Sequence, residues 1–243
     1  MAVFNSNDIY PVSADSELPF EQHRDIFHLT GIDQEETILL LYPPSKDDKT
    51  REILFIRKSD NHTKVWEGEK LSKKQANELS GIDSIYFIDD FKDILSSIAT
   101  KVDTFYINKN EHYRANSPVE TREDRFISWL LKKYPAHNVA KSNPILQRQR
   151  SIKHPDEIDQ IKKACNITRK GFNRVLEFIK PNVWEYEIEA EFIHEFINSS
   201  SKGFAYSPII ASGNDNNVLH YIKNNKQCKS GELILMDVGA EYG

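Results

Sequence analysis

Thr37-Ile38-Leu39-Leu40-Leu41-Tyr42, followed by Pro43-Pro44, is a short apolar run halted by two prolines. Five residues of Ile, Leu and Tyr after a Thr, with such a stop, read as a β-strand. The same signature recurs at residues 52–57, 84–88 and 104–107, closed by Asp60-Asn61 or Asn108 turn chemistry, and more weakly at residues 2–5. Helical patterns lie between these runs. Ser72 is placed to cap a helix that ends at Ser80-Gly81, and a second opens at Asp90 or Phe91 and reaches about Lys101. That second helix carries Phe91, Ile94, Leu95 and Ile98 at helical spacing, and a third spans residues 121–134 before Pro135. Strands separated by helices predict an α/β layer with at least part of its sheet parallel.

Residues 136–150 lose this pattern to Asn, Ser, Pro and basic side chains, which reads as a linker with a domain boundary near Ser142. The expected domains are residues 1–142 and 143–243. Pro155 begins a helix with Ile158, Ile161, Cys165, Ile167, Phe172, Val175, Leu176 and Ile179 along one side, ended by Lys180-Pro181. A second helix runs from Glu185 to about Ser200. It directs Ile188, Phe192, Ile193 and Phe196 inward and Glu185, Glu187, Glu189, Glu191 and Glu195 toward water. Strands are expected at residues 206–211 and 232–238.

The 243 residues suffice for two medium domains, about 100–200 residues being usual for one. A 39% hydrophobic content with 13 Phe and 10 Tyr excludes disorder as the main state. The net charge of −5 is shared by both halves, so neither is a basic nucleic-acid footprint. No apolar run approaches the roughly 18 residues that span a bilayer, and no leader follows Met1, so no nucleic acid or membrane partner and a cytoplasmic location are expected. Cys165 and Cys228 have no metal-ligand spacing and suit free thiols in a reducing compartment.

Two residues stand out for chemistry. Asp237 lies in Leu233-Ile234-Leu235-Met236-Asp237-Val238-Gly239, where an apolar strand should leave the carboxylate half or fully buried. Such a group needs a cation, a metal or several hydrogen-bond donors, and a structural Asp paired with amides or a lysine weighs equally with a functional one. Gly239 would let a backbone or ligand approach closely. His220 follows the turn Ser212-Gly213-Asn214-Asp215; a lone histidine beside a tyrosine is more often a structural or surface group, and its seventeen-residue separation from Asp237 permits a hairpin placing both near one pocket as well as many other arrangements. Other signals read as ordinary structure. His194-Glu195-Phe196-Ile197-Asn198 has Asn where a zinc-protease helix needs a second His, and Gly213 and Gly231 stand alone. His23 and His28 complete no metal cluster.

The order and spacing of Arg150-Ser151-Ile152-Lys153-His154-Pro155-Asp156-Glu157-Ile158, Glu185-Tyr186-Glu187-Ile188, Pro208-Ile209-Ile210-Ala211-Ser212-Gly213, residues 216–221 and Leu235-Met236-Asp237-Val238-Gly239-Ala240 resemble the pita-bread catalytic domain of the Xaa-Pro aminopeptidases (aminopeptidase P) and prolidases. Phe27-His28-Leu29-Thr30-Gly31, Leu39-Leu40-Leu41, Arg57-Lys58 and Val65-Trp66-Glu67-Gly68 resemble their creatinase-like amino-terminal domain, and the Trp-x-Gly element is closer to aminopeptidase P. The resemblance implies a creatinase-like α/β domain with a mixed sheet, followed by the beginning of a pita-bread α+β domain.

It also implies a hydrolase that removes the residue ahead of proline from peptide substrates, using two divalent metal ions, Mn²⁺ by the carboxylate-rich ligand set, and a metal-activated hydroxide. The family's ligands are two Asp, one His and two Glu. Asp237 matches the first, His220 matches an active-site histidine that hydrogen-bonds substrate, and Trp66 matches an aromatic residue that reaches a neighbouring subunit's pocket in a homo-oligomer. The second Asp would lie about eleven residues beyond Asp237, past Gly243, with the other ligands later still. The chain is therefore expected to be a fragment or truncated product that binds no metal tightly and is inactive as written. Prolidase-type dipeptidase chemistry, or a non-catalytic pita-bread protein that binds peptides or proteins, are the alternatives.

Overall fold

The structure, a computed structural model, describes residues 1–109, 112 and 118–242. Contacts divide the chain into two compact units, Met1–Ser151 and Ile152–Gly243.

The first unit is built on six strands: β1 (Ala2–Asn5), β2 (Ile38–Leu41), β3 (Glu52–Ile56), β4 (Ile85–Phe87), β5 (Thr104–Ile107) and β6 (Asn138–Lys141), in the order β4-β3-β2-β1-β5-β6. β2 runs antiparallel to both β1 and β3, while β3/β4, β1/β5 and β5/β6 are parallel, so the sheet is mixed. Successive residues of a strand point to opposite faces, and here both faces are covered. Val3, Leu40, Ile53, Phe55 and Phe105 pack against helices α3 (Phe91–Ala99) and α4 (Arg122–Lys133). Phe4, Leu39, Leu54 and Ile56 pack with α1 (Arg24–Thr30), α2 (Lys73–Ser80) and α5 (Asn143–Ser151). Two-sided burial is why β2 and β3 read as continuous apolar runs and not as alternating ones.

The stretch read as a linker is ordered. Residues 138–141 form the edge strand β6, and Leu146 of α5 is buried among Phe4, Ile26 and Ala76. Arg150 at the end of α5 donates to Asp25 at 2.6 Å. The compact division thus falls at 151/152, nine residues after the position read from composition. β6 is an edge strand with mostly exposed side chains and α5 buries one apolar residue, so neither leaves a periodic signal.

The second unit pairs a long helix α6 (Pro155–Phe178) with α7 (Glu185–Asn198) and two small antiparallel ladders, β7 (Gly203–Phe204) with β10 (Ala240–Glu241) and β8 (Ile209–Ser212) with β9 (Ile234–Asp237). Ile167 and Val175 of α6 meet Ile188, Phe192 and Phe196 of α7. The helices approach so closely at Gly171 that a Cβ there would lie 2.8 Å from the Phe196 ring and 2.9 Å from Phe192. Ile158, Ile161 and Leu176 of the expected apolar stripe are exposed. At 1.5 Å per residue the 24 residues of α6 span about 36 Å and the 14 of α7 about 21 Å, so α7 covers only part of the stripe. Among the described residues no helix is long and apolar enough to cross a membrane.

Candidate active site

Asp237 ends β9, opposite Ile209 of β8. Residues directly opposite in a ladder share a face. On one face Ile210, Ile234 and Met236 join the core with α7; on the other, Ile209 and Ala211 are covered by Tyr221, while Leu235 and Asp237 remain exposed. The expectation of a half or fully buried Asp237 is therefore corrected. β9 has β8 as its ladder partner, and Asn216 reaches the backbone at Leu233 and Leu235.

The carboxylate has one defined neighbour. The Tyr206 hydroxyl donates to Asp237 Oδ1 at 2.8 Å. Gly239 makes this contact available, because a Cβ at that position would lie 3.2 Å from the Tyr206 ring. The close approach that Gly239 permits is thus to a tyrosine. Desolvation and, secondarily, the bond to Asp237 raise the Tyr206 pKa above its ordinary 10, which keeps the hydroxyl protonated and donating.

His220 is exposed in a turn within the connection from β8 to β9. The ladder joins the two ends of that connection, so His220 and Asp237 belong to one hairpin, although no hydrogen bond links them among the described residues. Trp66 lies in the other unit, on the short helix Asn61–Trp66, and is 76% exposed with its ring 6.2 Å from that of His62.

Glu185, read as facing water, is fully buried. It opens α7, and its carboxylate accepts from Ser212 N at 2.8 Å, Ser212 Oγ at 2.7 Å, the Tyr221 hydroxyl at 2.6 Å and Lys226 N at 2.9 Å. Burial and then the bond to Glu185 push the Tyr221 pKa far above its ordinary 10. One turn further along α7, Glu189 accepts from Asn224 Nδ2 at 2.9 Å, and Asn224 Oδ1 accepts from Ile210 N at the same distance. Glu191 pairs with Arg174 at 2.5 Å. Glu187 accepts from Trp184 N and Glu195 from Ser199 Oγ, so the glutamate row has one buried member and four others that each hold a partner. No local signal separates Glu185 from the rest of the row, because its donors come from residues 212–226.

Asp237 with one tyrosine does not constitute a metal centre. Among the described residues no group of three or more His, Cys, Asp or Glu side chains is placed to hold a metal ion. The arrangement offers one exposed carboxylate with an oxygen that Tyr206 does not engage, on the same hairpin as the His220 imidazole.

Residues 159–243 match metallopeptidase family M24, which defines the class of the second unit. Residues 1–106 match the amino-terminal domain of aminopeptidase P. Together the two matches give the domain order of aminopeptidase P, a creatinase-like α/β domain followed by the beginning of a pita-bread domain. It is 29% identical over 236 residues to the Xaa-Pro aminopeptidase of Escherichia coli K12, covering 95% of this chain and 52% of that protein. It is 28% identical to human Xaa-Pro aminopeptidase 3, covering 97% of this chain and 46% of that protein. Zn-substituted E. coli aminopeptidase P in complex with product superposes with a TM-score of 0.84 at 28% identity, covering 99% of this chain and 55% of that one. Pseudomonas aeruginosa aminopeptidase PepP gives 0.86 at 26%, covering 99% and 54%. The chain spans about half the length of the curated relatives it matches.

Proposed function

We propose that this chain is part of a metal-dependent Xaa-Pro aminopeptidase, acting on peptides with proline at the second position. The observation that carries the reading is the pairing of an aminopeptidase P amino-terminal domain with M24 residues in one chain, with Asp237 at the strand end where the resemblance calls for the first ligand. In this reading Asp237 supplies one ligand to a pair of divalent cations, Mn²⁺ being the candidate suited to oxygen ligands. His220 meets the substrate, and Trp66 reaches the pocket of a neighbouring copy in a homo-oligomer. The exposure of His220 and Trp66 supports both roles, since a group that contacts substrate or another copy has to be accessible.

One carboxylate holds no metal pair, so residues 1–243 alone are expected to be inactive, and no reaction step is assigned to a metal on these residues. What the chain's own groups do is narrower. Tyr206 orients the Asp237 carboxylate by donating to one oxygen, leaving the other free. The test compares purified residues 1–243 with a protein that joins them to the carboxy-terminal half present in the relatives. Release of the leading residue from an Xaa-Pro peptide with Mn²⁺ is expected only from the longer protein, and Asp237→Ala should abolish it together with metal content. Full activity and metal content in Asp237→Ala would sink the assignment. Cleavage of Xaa-Pro dipeptides but not of longer chains would favour prolidase chemistry, and inactivity of the longer protein a binding role.

A further inference from the structure

We propose that Glu185 is a positioning residue of this site: its carboxylate ties the loop that carries His220 at three points and so sets where the imidazole stands. The role for His220 rests on the reading above; the tethering rests on geometry alone.

The connection opens at Ser212, the end of β8, and Glu185 is bonded to that residue, to Tyr221 and to Lys226. Oε1 takes the amide and hydroxyl of Ser212; Oε2 takes the Tyr221 hydroxyl and the Lys226 amide. Tyr221 then lies across Ile209 and Ala211, on the face shared with Asp237, and His220 is the preceding residue. Around this anchor the loop is held at further points. Asn224 is bound to Glu189, the Pro208 carbonyl and the Ile210 amide; Lys226 Nζ pairs with Asp215; Asn216 Nδ2 reaches the Leu233 carbonyl at 3.0 Å.

Four donors on one fully buried carboxylate are more than helix formation requires, since α7 already caps its amino terminus through Glu187, which accepts from Trp184 N at 2.7 Å. Hydrogen bonds to an ionised acceptor are the strong ones, and in a dry setting losing one partner leaves the others unsatisfied. Glu185 therefore couples three points of the loop directly, alongside the contacts made by Asn224 and Lys226. An exposed histidine on a loop without such an anchor would sample many positions; one beside an anchored Tyr221 samples few.

The test uses the 243-residue chain with Glu185→Ala, Glu185→Gln and Tyr221→Phe, and Glu195→Gln at the far end of α7 as control. The readouts are the His220 Cε1–H resonance and amide exchange. In Glu185→Ala the His220 resonance should shift and broaden, and amides of residues 213–226 should exchange at least about tenfold faster, the loss expected for bonds to a charged acceptor. Amides of Val175 and Phe192 should keep their rates. Glu185→Gln and Tyr221→Phe should give the same pattern at smaller size, because each retains part of the bond set, and they decide the matter if the alanine variant does not fold. An unchanged His220 resonance, or equal acceleration throughout the unit, would overturn the proposal. In the longer, active protein Glu185→Gln should raise KM for an Xaa-Pro peptide more than it lowers kcat. Loop effects without any peptidase activity in the longer protein would overturn the enzymatic reading and leave the tether standing.

Discussion

Asp124 occupies the third position of α4, where its carboxylate accepts from Thr121 N and Thr121 Oγ, while Lys109 lies 2.8 Å away. The Lys109 ammonium first, and the Thr121 donors after it, bring its pKa down from 3.8 to about 2. A carboxylate depressed on folding adds stability above its unfolded pKa and loses it as pH falls through the folded one. Asp124→Asn should therefore cost about 1 kcal/mol at pH 7, a figure kept low because the group is partly solvated. The gap between the two chains should close between pH 3.8 and about 2, which thermal melts across that range would check. A gap that persisted at pH 2 would contradict the charge-based account. The helix over residues 121–134 was legible, whereas the reciprocal capping of Thr121 and Asp124 is seen in the structure. The burial of Glu185 was not legible. In a row of alternating glutamates every member looks alike in one dimension, and the one at the helix start is singled out only when the chain returns at residues 212–226 to surround it.

At the scale of elements, the α6–α7 contact turns on Gly171. Its missing side chain lets Phe192 and Phe196 lie against the α6 backbone. Gly171→Ala would gain helix propensity, yet the added methyl must displace two buried rings, and overpacking should win with a net loss of about 1–3 kcal/mol by denaturant unfolding. Equal or greater stability of the alanine variant would mean that the rings can move aside. On α5, Leu146→Ala should destabilise the first unit by about 2–5 kcal/mol, because Leu146 is that helix's buried apolar anchor. Both helices of the second unit were readable from their caps and their 3.6-residue spacing, and the central strands β2 and β3 from their apolar runs. β6 and α5 were not readable, because an exposed edge strand and a helix with one buried residue obey no pattern that sequence alone displays.

For the whole molecule, the division at Ser151 has a consequence for truncation. Residues 1–151 expressed alone should unfold at a clearly higher temperature than residues 1–142, since the shorter piece loses Leu146 from the core and Arg150 from Asp25. Matching melting temperatures would show that α5 adds nothing to the unit. The sequence by itself determined the α/β class of the first unit, the two-helix start of the second, and the family resemblance, because these are written in local periodicity, capping residues and ordered motifs. It also singled out Asp237 as the carboxylate at a strand end. Only the tertiary structure decided that Asp237 stands exposed beside Tyr206, that the supposed linker completes the first sheet and its helical layer, and that Glu185 is buried under four donors. Burial and hydrogen-bond partnership are set by segments distant in sequence, and no local pattern encodes which of them will meet.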